Sequence, residues 1–232
     1  MDFGKAFLFM FEDPDWLKKL GIGTLLGLAM LVLIPTVILW VLPFIALLGY
    51  TVVVLRNVMN GIERPLPEWD NWGEFFNLGI KVLAATFIWV LPVILLMIPL
   101  ALGSAFIDQS RGAEGIGIAI VVCGSCLVIL WSLFITALTP AIYVRIAATD
   151  RFSSAFEFGP MLAFTRDNLA NVIIALLLLI VVGIIASVIA MAGVIALFVG
   201  LLITIPFATV WQYLVQAHLF GQISKYSVTP VA

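Results

Sequence analysis

The sequence predicts an all-α integral membrane protein, a polytopic chain with about six transmembrane helices arranged as three hairpins. Hydrophobic residues make up 64% of the chain, charged residues only 10%, and the mean hydropathy is +1.24. A soluble domain of 232 residues could not hide that much apolar surface. The apolar runs are continuous and much longer than the roughly 10 residues of a membrane barrel strand. Lipid also requires internal pairing of every backbone polar group, so helices are the structure that fits.

The chain opens with a short amphipathic segment. Its apolar side chains recur with the spacing of one helix face, at Phe3, Phe7, Met10 and Phe11. This pattern is typical of a helix that lies in the membrane interface. Asp13 and Pro14 then suit the N-cap and the first position of a longer helix, which we expect to start there.

Charge-free runs place the spans. The run from Leu20 to Leu55 would form about 54 Å of helix, too long for one crossing of a hydrocarbon core of roughly 30 Å. Because Pro35 and Pro43 interrupt it, we expect two helices at about 15–34 and 37–58. Whether residues 20–55 form two full spans is the least certain of these boundaries.

The other two hairpins follow the same logic. Asn71 and Glu74 have the spacing of a capping box that opens the third span. The third and fourth spans are expected at 78–107 and 116–147. Residues 168–217 carry no charge, about 75 Å of helix, and therefore form a hairpin that turns near Ala192-Gly193.

An internal repeat supports the division into hairpins. A motif of an aromatic residue, a small residue, two variable positions and a phenylalanine precedes each hairpin, as Phe3-Gly-Lys-Ala-Phe7, Trp72-Gly-Glu-Phe-Phe76 and Phe152-Ser-Ser-Ala-Phe156. The chain 1–232 is thus predicted to be one membrane domain of three units, approximately 1–60, 70–150 and 151–225, each with a short interfacial helix before its two spans.

Basic residues predict the orientation. With six spans, ten of the eleven Lys and Arg residues lie on the side of both termini, and only Arg111 lies opposite. The positive-inside rule then places both termini in the cytoplasm and the chain in a cytoplasmic membrane.

Candidate chemistry is sparse. Ionisable groups inside spans usually mark ion or proton pathways, and residues 82–107, 116–144 and 168–217 lack them, which disfavours an ion-coupled transporter. Cys123-Gly-Ser-Cys126 lies within an apolar run, where burial makes thiols inert and a packing role is favoured. We expect no cofactor, no metal, no catalytic residues and no enzymatic activity. A pI near 5.3 with no basic surface gives no indication of nucleic-acid binding.

Two sets of polar residues are candidate sites. The stretch between the first two hairpins is stiffened by prolines and has an acidic edge, and it is the candidate surface for a partner: Arg56, Asn57, Pro65, Pro67, Glu68, Trp69, Asp70 and Trp72. Basic residues at span ends are candidate contacts for lipid headgroups: Lys18, Lys19, Arg145 and Arg166. The expected partners are membrane lipids and other membrane-protein subunits, or further copies of this chain.

Several motifs also resemble a known family. They are Phe3-Gly-Lys-Ala-Phe7, Glu12-Asp13-Pro14-Asp15-Trp16-Leu-Lys-Lys19, Gly49-Tyr50, Arg56-Asn57 and Leu66-Pro67-Glu68-Trp69-Asp70. Together they resemble an uncharacterised prokaryotic integral-membrane family, domain of unknown function 4013. The specific likeness extends to about residue 81, and beyond it the agreement is mainly in hydropathy. The resemblance implies a multi-span bacterial or archaeal membrane protein and supplies no catalytic residues.

Three functional hypotheses remain. The first is a non-enzymatic scaffold or accessory subunit that anchors or assembles a larger membrane complex through its polar connectors. The alternative is a permease or channel for a small neutral or lipidic substrate, lined by the hydroxyls of Ser132, Thr136 and Thr139, which share one helix face. A membrane enzyme ranks third, because no pair of ionisable residues converges.

Overall fold

The fold is all-helical, which confirms the predicted class. The structure is a computed structural model that describes residues 1–36, 38–109, 112, 114–196 and 200–225, and no strand occurs among them. The α-helices are α1 (Phe3–Leu8), α2 (Trp16–Leu33), α3 (Val41–Met59), α4 (Trp72–Gln109), α5 (Glu114–Thr149), α6 (Phe158–Asp167), α7 (Leu169–Ala192) and α8 (Leu201–Lys225). Short 3-10 helices cover Phe9–Glu12, Ile34–Thr36, Phe152–Phe156 and Gly193–Ala196.

Five of the described helices are long and apolar enough to cross a membrane. They cover Trp16–Thr36, Val41–Met59, Trp72–Ile107, Glu114–Thr149 and Leu169–Ile195. The sixth expected span corresponds to α8, whose second half carries Gln212, Gln216, His218 and Gln222. These polar side chains lower the hydropathy of α8, so the count of six stays a prediction.

Helix boundaries agree with the sequence pattern in most places and differ in two. The last hairpin turns where expected, since α7 ends at Ala192. However, α2 begins at Trp16 rather than at Pro14, and the turn before it is closed by the Asp13 carboxylate, which accepts the Asp15 N–H at 2.9 Å. The expected separate helix at residues 72–76 is instead the beginning of α4. Arg111, the cation expected to lie opposite the others, falls outside the described residues.

The chain divides into two compact units. The first unit comprises Met1–Leu83 and Pro140–Ala232, and the second comprises Ala84–Thr139. The second unit is an antiparallel pair formed by parts of α4 and α5. Its helices approach closely where Gly117 meets the backbone of Gly103, and the Trp131 indole N–H donates to the Trp89 carbonyl at 3.0 Å. The remaining surface of this pair is mostly exposed apolar side chains, as expected for helices surrounded by lipid.

In the first unit, glycines let α3 and the beginning of α4 pack backbone against backbone. A Cβ on Gly49 would overlap the carbonyl of Phe75, and a Cβ on Gly79 would overlap the carbonyl of Ile45. This reciprocal arrangement fits the small-residue packing that holds helices together in lipid. It also brings Phe75 against the middle of α3, beside the ring of Tyr50.

Helix α8 completes the core of this unit. It packs against α2, α3 and α7. A Cβ on Gly23 of α2 would lie 3.0 Å from Val210, and one on Gly27 would lie 2.9 Å from Pro206. The first long helix of the chain therefore packs closely against the last one.

Candidate functional site

The polar connectors of the first unit form the candidate site. The connector between α3 and α4, residues 62–71, has no regular secondary structure and is here named the strap. A segment without secondary structure must find other partners for its backbone. Side chains of α2 and α3 supply three of them: Asn57 Nδ2 donates to the Pro65 carbonyl at 2.8 Å, Lys19 Nζ to Leu66 at 3.1 Å, and the Tyr50 hydroxyl to Pro67 at 3.0 Å.

An aromatic cluster fixes the strap further. The ring of Trp69 stacks on Tyr50 with centroids 3.9 Å apart and an interplanar angle of 7°, and Phe75 packs edge-on against both. The Trp69 indole N–H donates to the Lys19 carbonyl at 2.9 Å. Trp69 is 9% exposed and Tyr50 is 1% exposed. The indole and hydroxyl groups are thus satisfied while their rings are buried, which makes this cluster an anchor.

Charges from three segments converge beside this cluster. Lys19 Nζ lies 2.8 Å from Asp13 Oδ2 and 3.0 Å from Glu68 Oε1, and Lys18 lies 3.1 Å from the other oxygen of Glu68. The side chains of Lys19 and Asp13 are only 7% and 5% exposed, whereas that of Lys18 is 65% exposed. Hydrogen bonds from Lys19 and then Lys18 lower the pKa of Glu68 below its ordinary value.

Two arginines likewise join helix ends to other segments through ion pairs and hydrogen bonds. Arg56, near the end of α3, pairs with Glu74 at 2.7 Å and donates through Nε to the Ala147 carbonyl at 2.7 Å. Arg145, near the end of α5, forms an ion pair with Glu157 and donates to the Ser154 carbonyl at 3.1 Å. Each guanidinium joins a helix end to the segment that follows it along the chain.

Gln222 makes the corresponding contact at the end of α8. Its Oε1 accepts the Asp2 N–H at 2.7 Å, and its Nε2 donates to the Asp2 carbonyl at 2.8 Å. The last helix thereby holds the first residues of the chain. The ends of α3, α5 and α8 thus each hold a segment at or beside one of the three aromatic motifs. The contacts are made by Arg56, Arg145 and Gln222, and they are here named the clasps.

The structure brings most of the predicted partner surface together, but it buries much of it. Asn57, Pro65, Pro67, Glu68 and Trp69 take part in anchoring the strap. Of the strap residues in this set, only Asp70 is exposed, and beside it Trp72 is 39% exposed. Whether this surface binds a partner stays a prediction.

The four candidate lipid contacts fall into two kinds. Lys18 and Arg166 have exposed side chains, and Arg166 pairs only locally, with Asp167 at 3.2 Å. Lys19 and Arg145 are 7% exposed and face carboxylates inside the protein. Their contact with lipid headgroups also stays a prediction, and the geometry favours the exposed pair.

Sequence reasoning missed the partners of these cations. Asp13 was expected to cap α2; one of its oxygens accepts the Asp15 N–H, while the other binds Lys19, which was not expected. Glu157, the partner of Arg145, was not singled out, and neither was Gln222, which binds the Asp2 backbone. Glu74 was expected to close a capping box: its backbone N–H donates to Asn71 Oδ1 at 3.4 Å, while its carboxylate also pairs with Arg56. The presence of acidic residues close to each helix end was the sequence signal that could have indicated these ion pairs.

No candidate metal site is found in the part of the chain that the structure describes. Groups of three or more His, Cys, Asp or Glu placed to hold a metal ion are absent from those residues. Cys123 and Cys126 are exposed on α5 and form no disulfide. The arrangement of the connectors is suited to holding segments in place and to presenting exposed residues beside them.

Comparison with known proteins gives a family and no activity. No curated protein matches the chain, and no solved structure matches it. A sequence family described as "Protein of unknown function (DUF4013)" matches residues 28–195. The match includes Gly49-Tyr50, Arg56-Asn57 and the strap, and it begins after the motifs at residues 3–7 and 12–19. It covers well over half of the chain, and the chain therefore belongs to the DUF4013 family, whose function is unknown.

Proposed function

We propose that the chain is a non-enzymatic subunit that scaffolds a larger membrane complex, and that it uses the exposed edge of the strap to bind another subunit. In this proposal it lies in the cytoplasmic membrane of a prokaryote with both termini in the cytoplasm. The observation that carries the proposal is the exposure of Asp70 and Trp72 beside the anchored part of the strap, residues 65–69.

Anchoring matters because binding is opposed by the loss of conformational freedom. A flexible connector would have to be ordered when a partner binds, whereas the strap is already held by hydrogen bonds and by the Trp69–Tyr50 stack. Trp72 rests on Trp69, with ring centroids 5.4 Å apart, so its own side chain is also restrained. A pre-ordered, exposed tryptophan next to a carboxylate is the kind of residue that contributes most at protein interfaces.

The orientation is supported by the position of the basic residues. Lys18, Lys19, Arg56, Lys81 and Arg145 lie close to those helix ends that the connectors join. The positive-inside rule places such ends in the cytoplasm, where a soluble domain of another subunit could reach the strap.

Site-specific crosslinking tests the proposal. A photo-reactive amino acid at position 72 or 70 should link the chain in its native membrane to one protein at a fixed ratio. The matched control is position 152, because Phe152 is an aromatic residue with a similar exposure of 37%. Trp72→Ala should abolish co-purification of the linked subunit, while Phe152→Ala should retain it. Linkage only to lipid at positions 70 and 72 would refute the scaffold proposal.

A permease for a lipidic substrate is the second candidate. It is supported by two apolar grooves beside α2 and α8, with volumes of about 430 and 420 Å³. The hydroxyl stripe on α5 supports it less, because Thr136 and Thr139 donate to carbonyls of their own helix, at 2.7 and 2.9 Å. Flux into liposomes that is lost when the stripe is changed to alanine or valine would favour this candidate over the scaffold.

A further inference from the structure

A polar cavity lies where the beginning of the chain meets the ends of α3 and α8. Its volume is about 360 Å³, and it belongs to the first unit. Three segments supply its walls: the N-terminal residues, the turn that leads from α3 into the strap, and the last turns of α8. Its polar lining consists of Asp2, Lys5, Glu63, His218, Gln222 and Lys225.

Among the residues that the structure describes, the formal charges that line this cavity balance. Lys5 and Lys225 contribute two ammonium groups, and Asp2 and Glu63 contribute two carboxylates. A ligand with only negative groups would be repelled by the carboxylates, and a ligand with only positive groups would be repelled by the lysines. A ligand that carries one charge of each sign can pair with both sets.

Hydrogen bonds determine which atom of His218 carries its proton. The backbone N–H of Asp2 can only donate, so the Gln222 oxygen must face it, and this orients the Gln222 amide nitrogen toward the Asp2 carbonyl and His218 Nδ1. His218 Nδ1, 3.0 Å away, therefore accepts a hydrogen bond, and the ring N–H is on Nε2. The imidazole is also held flat against Phe9, with ring centroids 4.4 Å apart. His218, with its N–H fixed on Nε2, thus lines the cavity together with two ammonium groups.

The rest of the wall is apolar. Val58 and Ile62 line the cavity, and Ile62 is 48% exposed. The cavity lies at the end of the apolar part of α3, which is one of the helices long and apolar enough to cross a membrane. At such a position a ligand can place a polar group in the cavity while its apolar part remains beside the helices.

We propose that this cavity binds a phosphoethanolamine group, the headgroup of phosphatidylethanolamine. Its phosphate oxygens accept hydrogen bonds from Lys5, Lys225 and His218, and its primary ammonium donates to Asp2 and Glu63. A free phosphoethanolamine ester offers the same polar contacts without acyl chains.

Native mass spectrometry of the purified full chain tests the proposal. The probes are short-chain phosphatidylethanolamine, phosphatidylcholine and phosphatidylglycerol, and soluble phosphoethanolamine. Phosphatidylethanolamine should bind at least about tenfold more tightly than phosphatidylcholine, because a trimethylammonium has no N–H to donate to the carboxylates. Phosphatidylglycerol should also bind more weakly, because it has no cation. Equal binding of the three lipids would overturn the proposal.

Variants locate the binding. Glu63→Gln should remove most of the preference for phosphatidylethanolamine over phosphatidylcholine, and Lys225→Gln should weaken both by about tenfold. Arg166→Gln is the matched control, since it removes an exposed cation remote in sequence from the cavity residues. Thermal unfolding in detergent shows that each variant is folded. Unchanged lipid binding by folded Glu63→Gln and Lys225→Gln variants would refute the site.

The soluble probe identifies the source of the ligand. If phosphoethanolamine displaces the lipid at comparable concentrations, the site is one for a free phosphoester. If only the lipid binds, the acyl chains contribute and the site is one for a membrane lipid. Binding of neither probe would overturn the proposal, and it would leave the crosslinking test of the scaffold unaffected.

Discussion

Replacing Lys19 with methionine retains the unbranched apolar stem of the side chain and removes its ammonium group. The adjacent Lys18→Met substitution is a matched control, because it removes the same group one residue earlier in the same helix. Lys19 is 7% exposed at its side chain and Lys18 is 65% exposed. The two substitutions therefore compare a buried cation with a solvated one in nearly the same position.

The contacts of Lys19 determine the expected magnitude. Its ammonium lies 2.8 Å from Asp13 Oδ2, 3.0 Å from Glu68 Oε1 and 3.1 Å from the Leu66 carbonyl. Lys19→Met leaves the Asp13 carboxylate buried without its counter-ion, and breaking a buried ion pair on one side costs about 3–5 kcal/mol of unfolding free energy. Lys18→Met changes an exposed side chain and should alter that free energy by about 0.5 kcal/mol or less.

Unfolding in detergent with increasing denaturant measures both effects. Tryptophan fluorescence is a suitable signal, since Trp69 is buried against Tyr50 and donates to the Lys19 carbonyl. The double variant Lys19→Met with Asp13→Asn removes the orphaned charge and should recover most of the lost stability. If Lys19→Met were no more destabilising than Lys18→Met, the assignment of Lys19 as a buried anchor of the strap would be wrong. Its expected role as a lipid contact would then regain support.

Three further outcomes follow from the structure. Gly49→Ala should destabilise the fold by about 1–3 kcal/mol or more, because its methyl overlaps the backbone of α4, whereas Gly183→Ala has open space and should show no loss in the same unfolding assay. The lysines lower the pKa of Glu68, so its carboxylate stabilises the fold at pH values above its ordinary pKa of about 4.3. This stabilisation is lost as the pH falls through the lowered pKa. The difference in unfolding midpoint between wild type and Glu68→Gln should therefore be smaller at about pH 3 than at about pH 7. Gln222→Ala should release the N-terminal segment and speed tryptic cleavage after Lys5, and an unchanged cleavage rate would contradict the clasp.

The sequence predicted the helices well because charge-free runs must be as long as the membrane is thick. The runs after Leu20 and after Lys81 correspond to α2, α3 and α4 as expected. The sequence placed the start of α2 at Pro14 rather than at Trp16, and it did not show that the Asp13 carboxylate, besides accepting the Asp15 N–H, also binds Lys19. The pairing of Asp13 with Lys19 depends on side chains that become neighbours only in the folded chain.

The candidate site was predicted less completely. Prolines, acids and tryptophans marked the strap as unusual, but the same pattern fits an exposed surface and a buried anchor. Its side-chain directions are decided by Tyr50, Asn57 and Lys19, which lie up to about fifty residues away along the chain. Contacts between residues so far apart in sequence depend on tertiary structure, and they cannot be predicted from hydropathy alone.

The contact between α2 and α8 has a consequence for biosynthesis. Helix α2 enters the membrane early, yet the side chains that fill the space beside Gly23 and Gly27 belong to Val210 and Pro206 of α8, which is synthesised only after α3 to α7. One face of α2 therefore lacks its packing partner until α8 has been synthesised. A nonsense mutation shortly before α8 would leave α2 without these partners, in a nascent protein that quality-control proteases can recognise.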